Sequence, residues 1–125
     1  MKDIQISMGS QIPIYQQLYD LISAQIIHGD LKPDEALPSI RVIAKDLRIS
    51  IITVKKTWEM LESNGYIYTV VGKGSYVKNN STSMLNRKRI EAVKDILYHA
   101  LDMCKSYEVD EADLILMVKD YYSKR

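Results

Sequence analysis

A three-residue break, Arg48-Ile49-Ser50, separates two short stretches of helical periodicity, and it constrains the fold more than any other feature of the chain. Ahead of it, Ile40, Ile43, Ala44 and Leu47 recur at helical spacing behind Ser39, whose hydroxyl suits an N-cap because it can accept from a backbone N–H that the helix leaves unpaired. Behind it, Ser50 is a second such cap, Val54, Thr57, Trp58 and Leu61 form one face, and Asn64-Gly65 supplies the stop. Two short helices joined this tightly make a helix-turn-helix.

The flanking segments extend the domain. Ile14, Leu18, Leu21, Ile22 and Ile26 share a face of a first helix predicted from Pro13 to His28, with proline in the first turn and Gly29 just past the end. A connector with Pro33 and Pro38 cannot be regular helix, and Leu31 and Leu37 pin it to the core. After Gly65 the period becomes extended: Tyr66 to Val71 and Ser75 to Lys78 read as two strands, with Gly72-Lys73-Gly74 as the hairpin tip. Asn79-Asn80-Ser81-Thr82-Ser83 has neither periodicity nor bulk, and a linker is expected over residues 79–85. Ile90, Val93, Leu97, Leu101 and Cys104 then mark a fourth helix from about Asn86 to Lys105, and Asp110 caps a fifth with Leu114, Met117, Val118 and Tyr121. The fold class is α+β, mostly α: a winged helix-turn-helix over residues 1–78, the linker, and a two-helix tail over 86–125.

Charge bears on what such a domain touches. Over the whole chain 17 Lys and Arg face 16 Asp and Glu, so any electrostatic argument is local. Between Arg41 and Lys56 five basic residues (Arg41, Lys45, Arg48, Lys55 and Lys56) stand against the single acid Asp46. Lys55 and Lys56 face away from the Val54, Thr57, Trp58 and Leu61 stripe, toward phosphates or base edges. Paired lysines are also common on solvated helix faces, so it is the hairpin that favours DNA.

Other functions find little material. One cysteine and two histidines without ligand spacing leave no metal site and no cofactor to expect, and no nucleophile has a positioned base, so the chain is not read as an enzyme. Cys104 is a small interface residue rather than a redox switch. The absence of a signal core or a long apolar run argues for a soluble, cytoplasmic protein without a membrane partner.

Four blocks then carry a family resemblance: Pro13-Ile14-Tyr15-Gln16-Gln17, Leu37-Pro38-Ser39-Ile40-Arg41, Ser50-Ile51-Ile52-Thr53-Val54-Lys55-Lys56 and Gly72-Lys73-Gly74-Ser75-Tyr76-Val77. In this order the chain resembles bacterial GntR-type transcription regulators, and its short tail is similar to that of the YtrA-type subfamily, whose members dimerise through it. The resemblance implies a dimeric repressor on an inverted-repeat operator in double-stranded DNA, often beside transporter genes. It leaves a small-molecule effector of unknown identity open. It places Arg41, Ser50, Thr53, Lys55, Gly72 and Lys73 at the DNA, and the expected DNA-binding set is completed from local charge and position by Ser39, Lys45, Arg48, Ile51, Ile52 and Lys56.

Two departures qualify this. Ile51 stands where many relatives carry a guanine-reading arginine, and Asp34 stands where many carry glycine, although Asp tolerates the left-handed conformation better than most residues. The tail stripe of Ile90, Val93, Leu97, Leu101, Cys104, Leu114, Met117, Val118 and Tyr121 offers more apolar surface than one helical hairpin can bury, which predicts a homodimer. The alternative is a winged helix used only for protein contacts.

Overall fold

The computed structural model describes residue 1, residues 4–80 and residues 82–124. Its elements follow the order α1 (Ile14–His28), α2 (Ile40–Leu47), α3 (Ile51–Ser63), β1 (Ile67–Val70), β2 (Gly74–Val77), α4 (Thr82–Lys105) and α5 (Glu111–Ser123). They divide into two compact units, Met1–Lys88 and Arg89–Arg125.

Local chemistry sets the helix ends. Pro13 precedes α1 and Gly29 closes it with φ 82. The Ser39 hydroxyl accepts from Val42 N and the Ser50 hydroxyl from Thr53 N, each at 3.1 Å, so both turns of the helix-turn-helix are capped. Between them Arg48 takes φ 56, which ends α2 abruptly, and its N–H returns to the carbonyls of Ala44 and Lys45. Three α helices thereby enclose a core of Leu18, Ile22 and Ile26 from α1, Ile43 and Ala44 from α2, and Val54, Trp58 and Leu61 from α3. Leu21 departs from its expected place: it is exposed, because it lies at the edge of the α1 stripe rather than on its centre line.

Thr57 is wholly buried, and its hydroxyl donates to Tyr15 O at 3.0 Å, tying α3 to the first turn of α1. The same hydroxyl lies 3.2 Å from Thr53 O within α3, so the bond to Tyr15 O adds a tie between the helices to a group that its own helix also satisfies.

β1 and β2 pair antiparallel, with Ile67 opposite Val77 and Val70 opposite Gly74. Gly74 is therefore inside a strand, one residue from its expected place at the tip, which is Val71-Gly72-Lys73. Lys73 N donates to Val70 O at 3.0 Å, and Gly72, with φ 80, occupies the third position of this turn, where a type II turn requires a positive φ.

The connector does more than reach the core. Leu31 and Leu37 are buried as expected, but Ala36 also bridges Tyr76, with bonds from Asp34 N to Val77 O (2.8 Å), Val77 N to Glu35 O (2.9 Å) and Leu37 N to Ser75 O (2.9 Å). The prolines flank this short pairing and do not interrupt it. Asp34 adopts φ 65, the left-handed conformation expected of it, and its carboxylate accepts from the Tyr68 hydroxyl at 2.9 Å. That bond holds the Tyr68 phenol above its ordinary pKa. Tyr68 stacks on Tyr76 with ring centroids 5.6 Å apart.

α4 begins at Thr82, so residues 82–85, expected in the linker, are helical; Ser81 lies outside the described residues. Leu85 packs against the core of the first unit, an apolar anchor that outweighs the weak local signal of the preceding polar residues. Lys88 donates to Asn64 O beyond the end of α3 and lies 4.7 Å over the Tyr66 ring. In the second unit Asp110 caps α5 as expected, its carboxylate accepting from Asp113 N at 3.0 Å.

Candidate nucleic-acid interface

The first turn of α3 is the natural place to begin, because its residues must either pack or face solvent. Ser50 and Thr53 bind each other through their hydroxyl oxygens at 2.8 Å, and Ser50 already caps the helix, so these two side chains form a fixed polar corner. Beside it Ile51 is 45% exposed and Ile52 is 80% exposed. Neither is a core residue. Ile51 is still half covered, but Ile52 gains little from the fold, and a branched apolar side chain presented this way suits contact with the C5 methyl of thymine in a major groove.

Around this corner the cationic side chains are all on the surface. Arg41 and Lys45 are exposed on α2, Arg48 is exposed in the turn, and Lys55 is exposed on α3. Ser39 is exposed but committed to its cap. Lys56 is exposed as well, and its ammonium lies 3.8 Å over the Tyr15 ring, a cation–π contact with α1. Its position in sequence, next to Lys55, gave no sign of this contact, since Tyr15 is 41 residues away. At the hairpin tip Gly72 and Lys73 are exposed, and so is Val71, at 96%. Val71 was not among the expected DNA residues; its only sequence signal was a β-branched residue next to a turn.

The second unit has no basic surplus: residues 89–125 contain six Lys and Arg against eight Asp and Glu. Its exposed groups are apolar. Ile90, Val93, Leu97, Met117, Val118 and Tyr121 are exposed, Leu101, Cys104 and Leu114 are half-buried, and α5 has no buried residue. Leu97, Leu101, Leu114, Ile115 and Val118 line a groove between α4 and α5, with Lys105, Glu111 and Lys119 at its margin. Among the described residues no cluster of His, Cys, Asp and Glu is arranged to hold a metal, and no helix is long and apolar enough to cross a membrane.

Comparison with known proteins decides the lineage of this arrangement. The family model for bacterial regulatory proteins of the gntR family matches residues 14–77, from the start of α1 to the end of β2. The chain belongs to the GntR family. It is 33% identical over 94 residues to the HTH-type transcriptional repressor YtrA of Bacillus subtilis, covering 75% of this chain and 72% of that protein. The structure of YtrA from Sulfolobus acidocaldarius, a GntR-family transcription factor, matches with a TM-score of 0.60 and 34% identity, over 79% of this chain and 97% of that one. The DNA-binding domain of AraR, solved in complex with operator ORE1, matches with a TM-score of 0.52 and 32% identity, over 59% of this chain and 93% of that one. This GntR-family chain is thus a DNA-binding transcription regulator of winged helix-turn-helix fold with a short helical tail, similar to the YtrA-type members.

For this GntR protein the exposed Ile52 makes a specific expectation. Ile52→Ala should cost on the order of 1 kcal/mol on a half-site with thymine beneath it, at the low end of a single mismatch. Exchanging thymine for uracil, which removes only the methyl, should reproduce that loss with the unmodified protein and add nothing to it in the variant. If every thymine tolerates the exchange, Ile51 and Ile52 do not read bases and recognition rests on Arg41, Thr53 and Lys55.

Proposed function

We propose that the protein is a homodimeric repressor that occupies an inverted-repeat operator, with α3 in the major groove and the β1–β2 hairpin against the adjacent backbone and minor groove. The reading is carried by one observation: the basic surplus of the chain sits on exposed positions around the first turn of α3, where Ile52 also projects. The operator complex of the related AraR domain supports this pose. In it Arg41, Thr53 and Lys55 read bases, while Lys45, Arg48 and Lys73 neutralise phosphates. Lys56, exposed beside Lys55, keeps its full charge while its ammonium rests over the Tyr15 ring, so it adds to the positive potential of this surface.

The tail supplies the second half of the function. Its exposed apolar face is covered by the same face of a second copy, and two-fold symmetry then puts half-sites about one helical turn apart or on successive grooves. Regulation of neighbouring transporter genes, implied by the resemblance, names the promoters to test first.

The test is a salt-dependent mobility shift on random duplex, followed by selection of fragments from the source genome. A regulator shifts the random duplex weakly and selects a recurring inverted repeat. A module that serves only protein contacts does neither, and that result would reject the reading. Within this experiment Lys73→Ala should weaken binding to all duplexes alike and lower the slope of log affinity against log salt by about one, the signature of a single lost phosphate contact. An unchanged slope would remove Lys73 from the interface.

A further inference from the structure

We infer that Val71, at the tip of the β1–β2 hairpin, is a specificity-determining residue that reads the floor of the minor groove and excludes guanine there. The inference rests on the operator-binding reading above.

Val71 stands at the second position of the turn closed by Lys73 N and Val70 O, with Gly72 taking the positive φ. At 96% exposure its side chain packs against nothing in the fold. Turn positions are dominated by Gly, Pro, Asn, Asp and Ser, each for a conformational reason that valine does not share. Its isopropyl group therefore adds nothing to the hairpin and extends the apolar tip beyond it. Two residues further, Lys73 is exposed and directs that tip to a polyanion. Between the two, Gly72 has no Cβ, and open space surrounds the place where one would stand, so the backbone at the tip can approach a groove closely.

The minor groove discriminates by one group. A·T and T·A pairs present acceptors alone, whereas G·C adds the exocyclic amino group of guanine in the centre of the floor. An apolar side chain offers that amino group no acceptor, and it displaces the water that satisfied it. Over A·T the same side chain meets a floor without a protruding group. Apolar residues placed between or against base steps in this groove are a known physical route to minor-groove binding. Val71 should accordingly penalise guanine at one or two pairs flanking each half-site, outside the pairs covered by α3.

The experiment uses the full-length protein on its selected operator, with G·C placed at each flanking pair in turn. At the pair beneath Val71, G·C should lower affinity by about fivefold, the low end of a single mismatch. Inosine·C, which keeps the major-groove face and lacks the amino group, should restore it. Diaminopurine·T, which adds the amino group to an A·T pair, should reproduce the loss. Val71→Ala should flatten all three responses to within about twofold while leaving the melting temperature unchanged, because the side chain has no packing partner. A guanine penalty that inosine does not relieve, or one that survives in Val71→Ala, would overturn the inference while leaving operator binding intact. A failure to select any operator would instead overturn the DNA-binding reading, and this inference with it.

Discussion

Leu97→Asp combined with Val118→Asp should turn the protein into a monomer and lower operator affinity by about 10²- to 10⁴-fold, the loss expected when two linked half-site contacts become independent. Both residues are exposed and both line the groove between α4 and α5. Each is about half exposed in the single chain, so circular dichroism must show the tail helices intact in the double variant before a monomer is read as loss of the interface. Like charges then face each other across a two-fold interface whose apolar contacts have been lost. Sedimentation reads the oligomeric state and a mobility shift reads the affinity. A dimer that persists in the double variant, or in a chain ending at Asn80 just ahead of α4, would place the interface elsewhere.

The second large effect concerns α3, the second helix of the helix-turn-helix. Trp58 is 5% exposed on the inner face of α3 and belongs to the same core as Leu18 and Ile22 of α1. Trp58→Ala should destabilise the DNA-binding unit by about 3–5 kcal/mol, the transfer and cavity cost of a large aromatic. That is a large share of the ~5–15 kcal/mol by which small domains are stable at all. Because Trp58 is the only tryptophan, its fluorescence can follow unfolding in the parent protein but not in the variant, so both are compared by circular dichroism in urea. A loss below about 1 kcal/mol would mean that the core rearranges to fill the space.

Much of the fold was legible because its determinants are local. Ser39 and Ser50 announce their helices by chemistry that needs nothing beyond the next three residues, and both cap as expected. Asp34 shows the same principle in the backbone, a residue tolerant of positive φ standing where positive φ is needed. What escaped the sequence depends on distant partners. The pairing of residues 34–37 with β2 was masked by the two prolines around it, and no short window of sequence shows that Ser75 and Val77 offer the matching groups. The start of α4 at Thr82 depends on a place for Leu85 in a core assembled from other elements. In the candidate interface the cationic positions could be read from spacing alone, since a side chain opposite an apolar stripe must face solvent. The contact of Lys56 with Tyr15 and the nearly complete exposure of Val71 needed the folded chain.

The bonds between residues 34–37 and β2 have a mechanical consequence. The strand that returns from the wing is clamped to the same stretch of backbone that runs through Pro38 into the N-cap of α2. Pulling on the wing therefore loads the entrance to the helix-turn-helix, and the two should part only when these three bonds break. The amides of Leu37 and Val77 share one ladder and should exchange with solvent at rates set by a common opening. The wing is in this sense no appendage: its returning strand and the entrance to α2 are expected to open together.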